Sequence, residues 1–158
     1  MGDKTDEKVA VYVKDTLTKW KKAPVLVRKD LPGQLANRIL QAMIRESINI
    51  VAMGLASAED VDTAIKKGMG IRFPAWGPLE HIDAIGLDLA SSVQNTVLPE
   101  ISTEQTSNAY LVDLIKKGNL GSKTGKGFYD WSQKSIDEAI KGRNEFIIHA
   151  VKILNTQK

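Results

Sequence analysis

The stretch Pro32-Gly33-Gln34-Leu35-Ala36-Asn37-Arg38-Ile39-Leu40 opens a long apolar pattern. After its Pro-Gly turn, apolar residues recur every three or four positions as far as Gly54. This spacing places them on one broad face of a helix. We expect the helix to run from about residue 35 to residue 51 and to form the core of the protein.

Helical patterns also dominate the rest of the chain. The residues before the turn repeat with helical spacing over Lys4–Lys22, and further helices are predicted over 57–67, 78–97 with a division at Gly86, 108–117 and 135–154. The β-branched run Pro24–Arg28 is the one convincing strand. Since one strand cannot form a sheet, the expected fold class is all-α.

Composition excludes several classes of protein. The chain has 158 residues, of which 42% are hydrophobic and 26% charged, as in folded globular proteins that bury a core. The net charge of +3 is small and its lysines are dispersed, so a nucleic-acid partner is not expected. With no cysteine, no secretory signal and no long apolar run, we expect a cytoplasmic protein without a membrane partner.

The glycine-rich segments do not match cofactor motifs. In Gly121–Gly127 only three residues separate Gly121 from Gly125, whereas a phosphate loop needs four, and Gly127 stands where serine or threonine is required. Neither Gly68-Met69-Gly70 nor Gly125-Lys126-Gly127 fits a dinucleotide fingerprint. His81 and His149 show no metal-ligand spacing. The sequence therefore predicts no cofactor-binding residue and no metal site.

Two polar residues are candidates for a binding site. Asn37 lies in the first turn of the long helix, where its residue type alone favours a surface or capping role. Arg72 lies in a glycine- and proline-punctuated loop, where its guanidinium is able to pair with a carboxylate; such arginines are more often solvated.

Four motifs in order resemble one family of enzymes. They are Pro32–Leu40, Ala56–Ala64, Gly77–Asp88 and Gly118–Asp130. Over roughly residues 23 to 131 the chain resembles the C-terminal domain of the 3-hydroxyacyl-CoA dehydrogenase family, which includes 3-hydroxybutyryl-CoA dehydrogenase. The resemblance implies a multi-helical domain that covers the acyl-CoA substrate and forms a homodimer. It also implies that Asn37 matches the family's active-site asparagine, which helps position the substrate near a catalytic histidine.

The resemblance also predicts how the chain is divided. Residues 1–30 would be the last helix and strand of an NAD-binding Rossmann domain, residues 31–131 the helical dehydrogenase domain, and residues 132–158 a helical extension. The family's cofactor site and catalytic histidine belong to the Rossmann domain, so we expect this chain to be inactive alone. The complete enzyme would oxidise 3-hydroxyacyl-CoA to 3-oxoacyl-CoA with NAD, in the β-oxidation of fatty acids.

Two departures and two alternatives accompany this interpretation. Gln34 stands where the family usually has phenylalanine, and the nucleotide-binding half is absent from the 158 residues. Without its sheet, the predicted strand would pair with a second copy, form an irregular extension or be held by the first helix.

The alternative functions are a non-catalytic dimerisation module and the same domain of a hydroxy-acid dehydrogenase of the gulonate or carnitine type, for which Arg72 would bind the substrate carboxylate.

Overall fold

A computed structural model describes residues 1–156, which divide into two units, Met1–Ile44 and the described residues from Arg45 onward. Seven α-helices occur within the described residues, and the predicted all-α class is confirmed. They are α1 (Glu7–Lys19), α2 (Ala36–Ala52), α3 (Ala58–Thr63), α4 (Pro78–Ile85), α5 (Leu87–Val97), α6 (Ala109–Lys116) and α7 (Ile136–Thr156). A π-helical segment, Ala64–Met69, follows α3, and a 3₁₀ turn, Leu98–Glu100, follows α5. None of the helices in this described part combines the length and apolarity needed to cross a bilayer.

Short polar side chains fix where several helices begin. The side chains of Asp6 and Asn108 accept hydrogen bonds from the amides two residues further on, at 2.8 and 2.9 Å. The Ser57 hydroxyl accepts from an amide three residues on, at 3.1 Å, and that of Ser135 does the same at 3.2 Å. Each bond satisfies an amide that has no partner inside its helix. Gly86, with φ of 101°, separates α4 from α5 as predicted.

The helix that starts at Ala58 ends differently from the prediction. The helix was predicted over 57–67, but the chain continues past Lys67 in a π-helical turn as far as Met69. The Gly70 amide donates to the Ile65 carbonyl at 2.7 Å, a spacing of five residues. A Cβ atom at Gly70 would lie 2.6 Å from that oxygen, so the wider turn depends on glycine at this position.

The predicted strand Pro24–Arg28 does not form. These residues join no ladder in the described chain, because a strand requires a second edge to pair with. They are held to the beginning of the chain instead. The Met1 ammonium donates to the Val27 carbonyl at 2.6 Å, and Arg28 Nη1 lies 2.6 Å from Glu7 Oε1 on α1. The first helix and its preceding turn thus hold this extension.

The expected core is almost absent. Among the described residues only Val61 and Ala90 are buried, and α2, predicted to be the core helix, has no buried residue. The accessible surface is 13034 Å². Two separate compact proteins with the masses of the two units would together expose only about 9,300 Å². The prediction failed because the other described residues leave the apolar faces of the helices exposed.

Polar contacts from loops organise the second unit. Glu46 Oε2 on α2 accepts a hydrogen bond from the Ser102 amide at 2.7 Å, across 56 positions of sequence. The Tyr129 hydroxyl donates to the Ala58 carbonyl at 3.0 Å. Among the helices of the described part of this unit, only consecutive segments pack together: α3 with the π-helical turn, α4 with α5, and α5 with the 3₁₀ turn. Loops therefore provide the long-range connections.

Candidate functional site

A left-handed turn precedes α2 and positions the candidate site. The Gln34 amide donates to the Leu31 carbonyl at 2.8 Å, which closes the turn. Gly33 and Gln34 both have positive φ, 75° and 46°. Glycine adopts this conformation readily, but for glutamine it is uncommon and strained. Strained backbone of this kind is found preferentially at binding and catalytic sites.

The turn and the first residues of α2 enclose a pocket of about 530 Å³ within the first unit. Its lining combines two side-chain amides, one carboxylate and apolar turn residues: Asp30, Leu31, Pro32, Gly33, Gln34 and Asn37. Every residue from 31 to 40 is exposed, so the pocket is open.

Asn37 is available for binding in this pocket. The Asn37 side chain is exposed, and its amide offers one oxygen acceptor and two N–H donors. An amide does not titrate and is not a nucleophile under ordinary conditions. It is therefore suited to hold and orient an oxygen-bearing group, and the acid–base chemistry of a reaction must come from another residue.

Arg72 lies in the second unit, on the loop between the π-helical segment and α4. Its carbonyl accepts from the Ala75 and Trp76 amides at 3.0 and 2.8 Å, and its side chain is exposed. The Trp76 ring packs edge-on against His81 of α4, with the centroids 5.7 Å apart. His81 therefore has a packing role. The structure describes Asn37 and Arg72 in different units, and the assignment of both to one site stays a prediction.

The loop Gly118–Asp130 has a structural role. The amides of Gly121, Thr124 and Gly127 donate to carbonyls of the same loop, so they do not converge on an anion. A Cβ atom at Gly127 would lie 2.7 Å from the Gly121 Cα, which explains the need for glycine there. Burial, and after it the nearby Asp62 carboxylate, raise the pKa of Tyr129 to about 12.

The described residues do not fit NAD. A Rossmann site requires a strand, a glycine-rich turn and a helix whose amides face the pyrophosphate. Within residues 1–156 no strand is present, Gly68-Met69-Gly70 lies at the end of the π-helical segment, and Gly125-Lys126-Gly127 bonds within its loop. In the same residues no three histidine or carboxylate side chains are grouped so as to hold a metal ion.

Comparison with known sequences identifies the family. The sequence model of the 3-hydroxyacyl-CoA dehydrogenase C-terminal domain matches residues 33–131. The chain belongs to the 3-hydroxyacyl-CoA dehydrogenase family. The match contains Asn37, the pocket turn from Gly33 onward and the Gly118–Asp130 loop.

The relatives are dehydrogenases of two substrate classes. The chain is 30% identical over 153 residues to 5-formyl-3-hydroxy-2-methylpyridine 4-carboxylate 5-dehydrogenase of Mesorhizobium japonicum, covering 97% of this chain and 50% of the relative. It is 40% identical over 113 residues to 3-hydroxybutyryl-CoA dehydrogenase of Clostridioides difficile, covering 71% of this chain and 39% of the relative. The chain thus spans half or less of the length of these relatives.

Solved structures show the same two classes. A crystal structure of 5-formyl-3-hydroxy-2-methylpyridine 4-carboxylic acid 5-dehydrogenase, described as an NAD⁺-dependent dismutase, aligns with a TM-score of 0.91 at 26% identity. That alignment covers 98% of this chain and 50% of the other. The 3-hydroxyacyl-CoA dehydrogenase of Archaeoglobus fulgidus aligns with a TM-score of 0.51 at 30% identity, covering 97% of this chain and 51% of the other.

Proposed function

We propose that this chain is the helical, substrate-covering and dimerising domain of an NAD-dependent 3-hydroxyacyl-CoA dehydrogenase. The observation that carries the proposal is the open pocket that Asn37 lines with an exposed amide at the start of α2. A Rossmann domain outside this chain would hold NAD and the catalytic histidine, and the complete enzyme would act on acyl-CoA in fatty acid metabolism. The chain alone would then have no dehydrogenase activity.

In this arrangement Asn37 would be a positioning residue. Its N–H groups would donate to an oxygen of the substrate and its carbonyl would accept from a nearby donor, such as an imidazole N–H. Fixing the substrate in this way lowers the entropic part of the activation barrier. Because the amide does not titrate, its contribution would be the same across the working pH range.

The exposed apolar helix faces support the homodimer in this proposal. The chain exposes roughly 3,700 Å² beyond two compact units of the same masses, whereas a standard interface takes about 800 Å² from each partner. A dimer interface and a docked cofactor domain both fit within that excess. A dimerisation module without a catalytic partner would account for the apolar faces, but it would give the Asn37 pocket no role.

A second candidate is the same domain of a dehydrogenase that acts on a small free carboxylic acid. The near-complete structural match to the pyridine-carboxylic-acid dehydrogenase favours it. The Gln34 side chain also adds a second amide to the pocket, which suits a polar substrate. The Asp30 carboxylate in the same lining disfavours a carboxylate close by, so the substrate charge would be met elsewhere, with Arg72 as the candidate.

Reconstitution of a complete enzyme tests the proposal. The N-terminal half of the C. difficile relative would be joined to this chain, and NADH formation measured with 3-hydroxybutyryl-CoA. We expect turnover by the chimera and none by the purified chain alone with acetoacetyl-CoA and NADH. Turnover by the chain alone would overturn the proposal.

A second chimera separates the two substrate classes. It would carry the N-terminal half of the M. japonicum relative and be assayed with that enzyme's own pyridine carboxylate. Activity in this chimera together with inactivity of a folded acyl-CoA chimera would favour the free-acid candidate. Circular dichroism and binding of NADH would show that each chimera is folded.

A further inference from the structure

Gln34 has a backbone conformation that is unfavourable for its residue type. Its φ is 46°, and it directly follows Gly33, whose φ is 75°. At positive φ the Cβ atom of an L-residue crowds the backbone, a cost that glycine avoids. Apart from glycines, Lys21 is the only other described residue with a positive φ. The conformation of the turn therefore favours glycine at position 34 and does not explain the glutamine.

The hydrogen bond that closes the turn does not explain the glutamine either. This bond runs from the Gln34 backbone amide to the Leu31 carbonyl at 2.8 Å, and every residue type except proline can donate it. The residue itself is exposed and belongs to the lining of the pocket at the start of α2. The glutamine side chain is therefore a feature of the pocket and not a requirement of the turn.

The polar side chains of this pocket define the groups that it can hold. Three of the six lining residues have polar side chains, namely Asp30, Gln34 and Asn37, and none of the six is a cation. Each amide both donates and accepts hydrogen bonds, whereas the carboxylate only accepts them. The lining therefore suits a neutral part of a substrate that has two neighbouring hydrogen-bonding groups, such as a hydroxyl beside a second heteroatom.

An alkyl chain suits the same lining poorly. Hydrocarbon placed against the Gln34 amide removes water from its N–H and C=O groups without replacing the lost hydrogen bonds, which is unfavourable. Under the proposed function Asn37 orients an oxygen of the substrate. The groups beside that oxygen then share the pocket with Gln34, so this side chain meets the part in which an alkyl substrate differs from a polar one.

We propose that Gln34 is a specificity-determining residue. It favours substrates that carry a second hydrogen-bonding group beside the oxygen held by Asn37, and it disfavours substrates with an alkyl chain there. This inference rests on the proposed function and deepens it, because it names the substrate class of the same pocket. That class is a compact polar hydroxy compound, and among 3-hydroxyacyl-CoA substrates it is the one with the shortest chain.

Substrate preference in the two chimeras tests the inference. Gln34→Leu keeps a side chain of similar size but removes its hydrogen-bonding groups. In the acyl-CoA chimera it should raise the ratio of kcat/KM for 3-hydroxydecanoyl-CoA to that for 3-hydroxybutyryl-CoA about 10-fold. In the other chimera it should lower kcat/KM for the pyridine carboxylate about 10-fold. The control is Gln41→Leu, at an exposed position of α2 outside the pocket lining, and should change each value less than about twofold.

A second variant separates specificity from a structural role. Gln34→Gly removes the side chain and also relieves the positive φ, so the variant should resist urea better than its parent while its substrate preference shifts in the same direction as in Gln34→Leu. A substrate preference that stays at the parent value in both variants of an active chimera would overturn the inference alone. Inactivity of both folded parent chimeras would overturn the proposed function and this inference with it.

Discussion

At the scale of single residues, the site depends on two adjacent left-handed positions. Gly33 adopts φ of 75° without strain, whereas Gln34 at 46° does not. The second position turns the chain into α2, so that the side chains of Gln34 and Asn37 line one pocket. The strain at Gln34 is expected to serve binding and not stability.

Replacing Gln34 by glycine tests this interpretation. Gln34→Gly should raise the free energy of unfolding by about 1 kcal/mol, because glycine lacks the steric penalty at positive φ. Gln34→Ala, which keeps a Cβ, is the matched control and should give no gain. Urea unfolding measures both. Equal effects of the two variants would show that the positive φ carries no strain.

The Tyr129 hydroxyl should make stability depend on pH in the alkaline range. Its pKa is raised from 10.0 to about 12 in the folded chain, so the folded state disfavours ionisation. The contribution of the protonated hydroxyl to the free energy of unfolding is therefore complete below pH 10 and is lost as the pH rises toward 12. Tyr129→Phe should lower stability by about 1 kcal/mol at pH 7 through loss of the hydrogen bond.

The difference between wild type and Tyr129→Phe should shrink from pH 10 to pH 12, as measured by denaturant unfolding. Tyr12→Phe, at an exposed position of α1, is the control and should change stability by less than about 0.5 kcal/mol. A difference that stays constant through this range would contradict the assignment of the alkaline loss to Tyr129.

At the scale of elements, the π-helical turn Ala64–Met69 depends on Gly70, which follows it, and not on Gly68 within it. A Cβ at Gly70 would lie 2.6 Å from the Ile65 carbonyl oxygen, whereas a Cβ at Gly68 would meet no atom within 4 Å. Gly70→Ala should therefore destabilise the chain by about 2 kcal/mol. Gly68→Ala should stabilise it by about 0.5 kcal/mol through helix propensity.

Thermal or urea unfolding of the two glycine variants gives the comparison. The two glycine-to-alanine substitutions lie two residues apart and should change the free energy of unfolding in opposite directions. A Gly70→Ala variant as stable as wild type would mean that this turn relaxes to an ordinary α-helix at no cost.

The sequence alone could reveal those features of the helices that depend on neighbouring residues. Ser57, Ser135 and Gly86 bound their helices where predicted, because caps and breakers act within a few residues. The Pro24–Arg28 strand and the burial of α2 were wrong, because both require a surface from elsewhere. The π-helical turn was not foreseen, since its wider bond from Gly70 to Ile65 leaves no distinct pattern of apolar residues.

The candidate site was predictable only in part. On its residue type alone Asn37 would have been placed at the surface, and only the resemblance of Pro32–Leu40 to a family gave it a role. The positive φ of Gln34 had no signal in the sequence, since glutamine is not a residue that usually adopts it.

At the scale of the whole molecule, the chain is rich in apolar faces and poor in burial. Only Val61 and Ala90 are buried among the described residues, and the accessible surface is 13034 Å². Hydrophobic burial is the main stabilising contribution to folding. Under the proposed function, association with a second copy and a cofactor domain would bury the exposed apolar faces and raise the stability of the chain. In the proposed enzyme, the same cofactor domain would also supply NAD and the catalytic histidine for the reaction.

The most direct measurement is the turnover number of the active chimera with Asn37→Ala, with Asn95→Ala as control. Both are exposed asparagines on helices, in α2 and α5. If Asn37 positions the substrate, kcat should fall about 100-fold in Asn37→Ala and change less than about twofold in Asn95→Ala. An Asn37→Ala chimera with the kcat and KM of its parent would contradict the account.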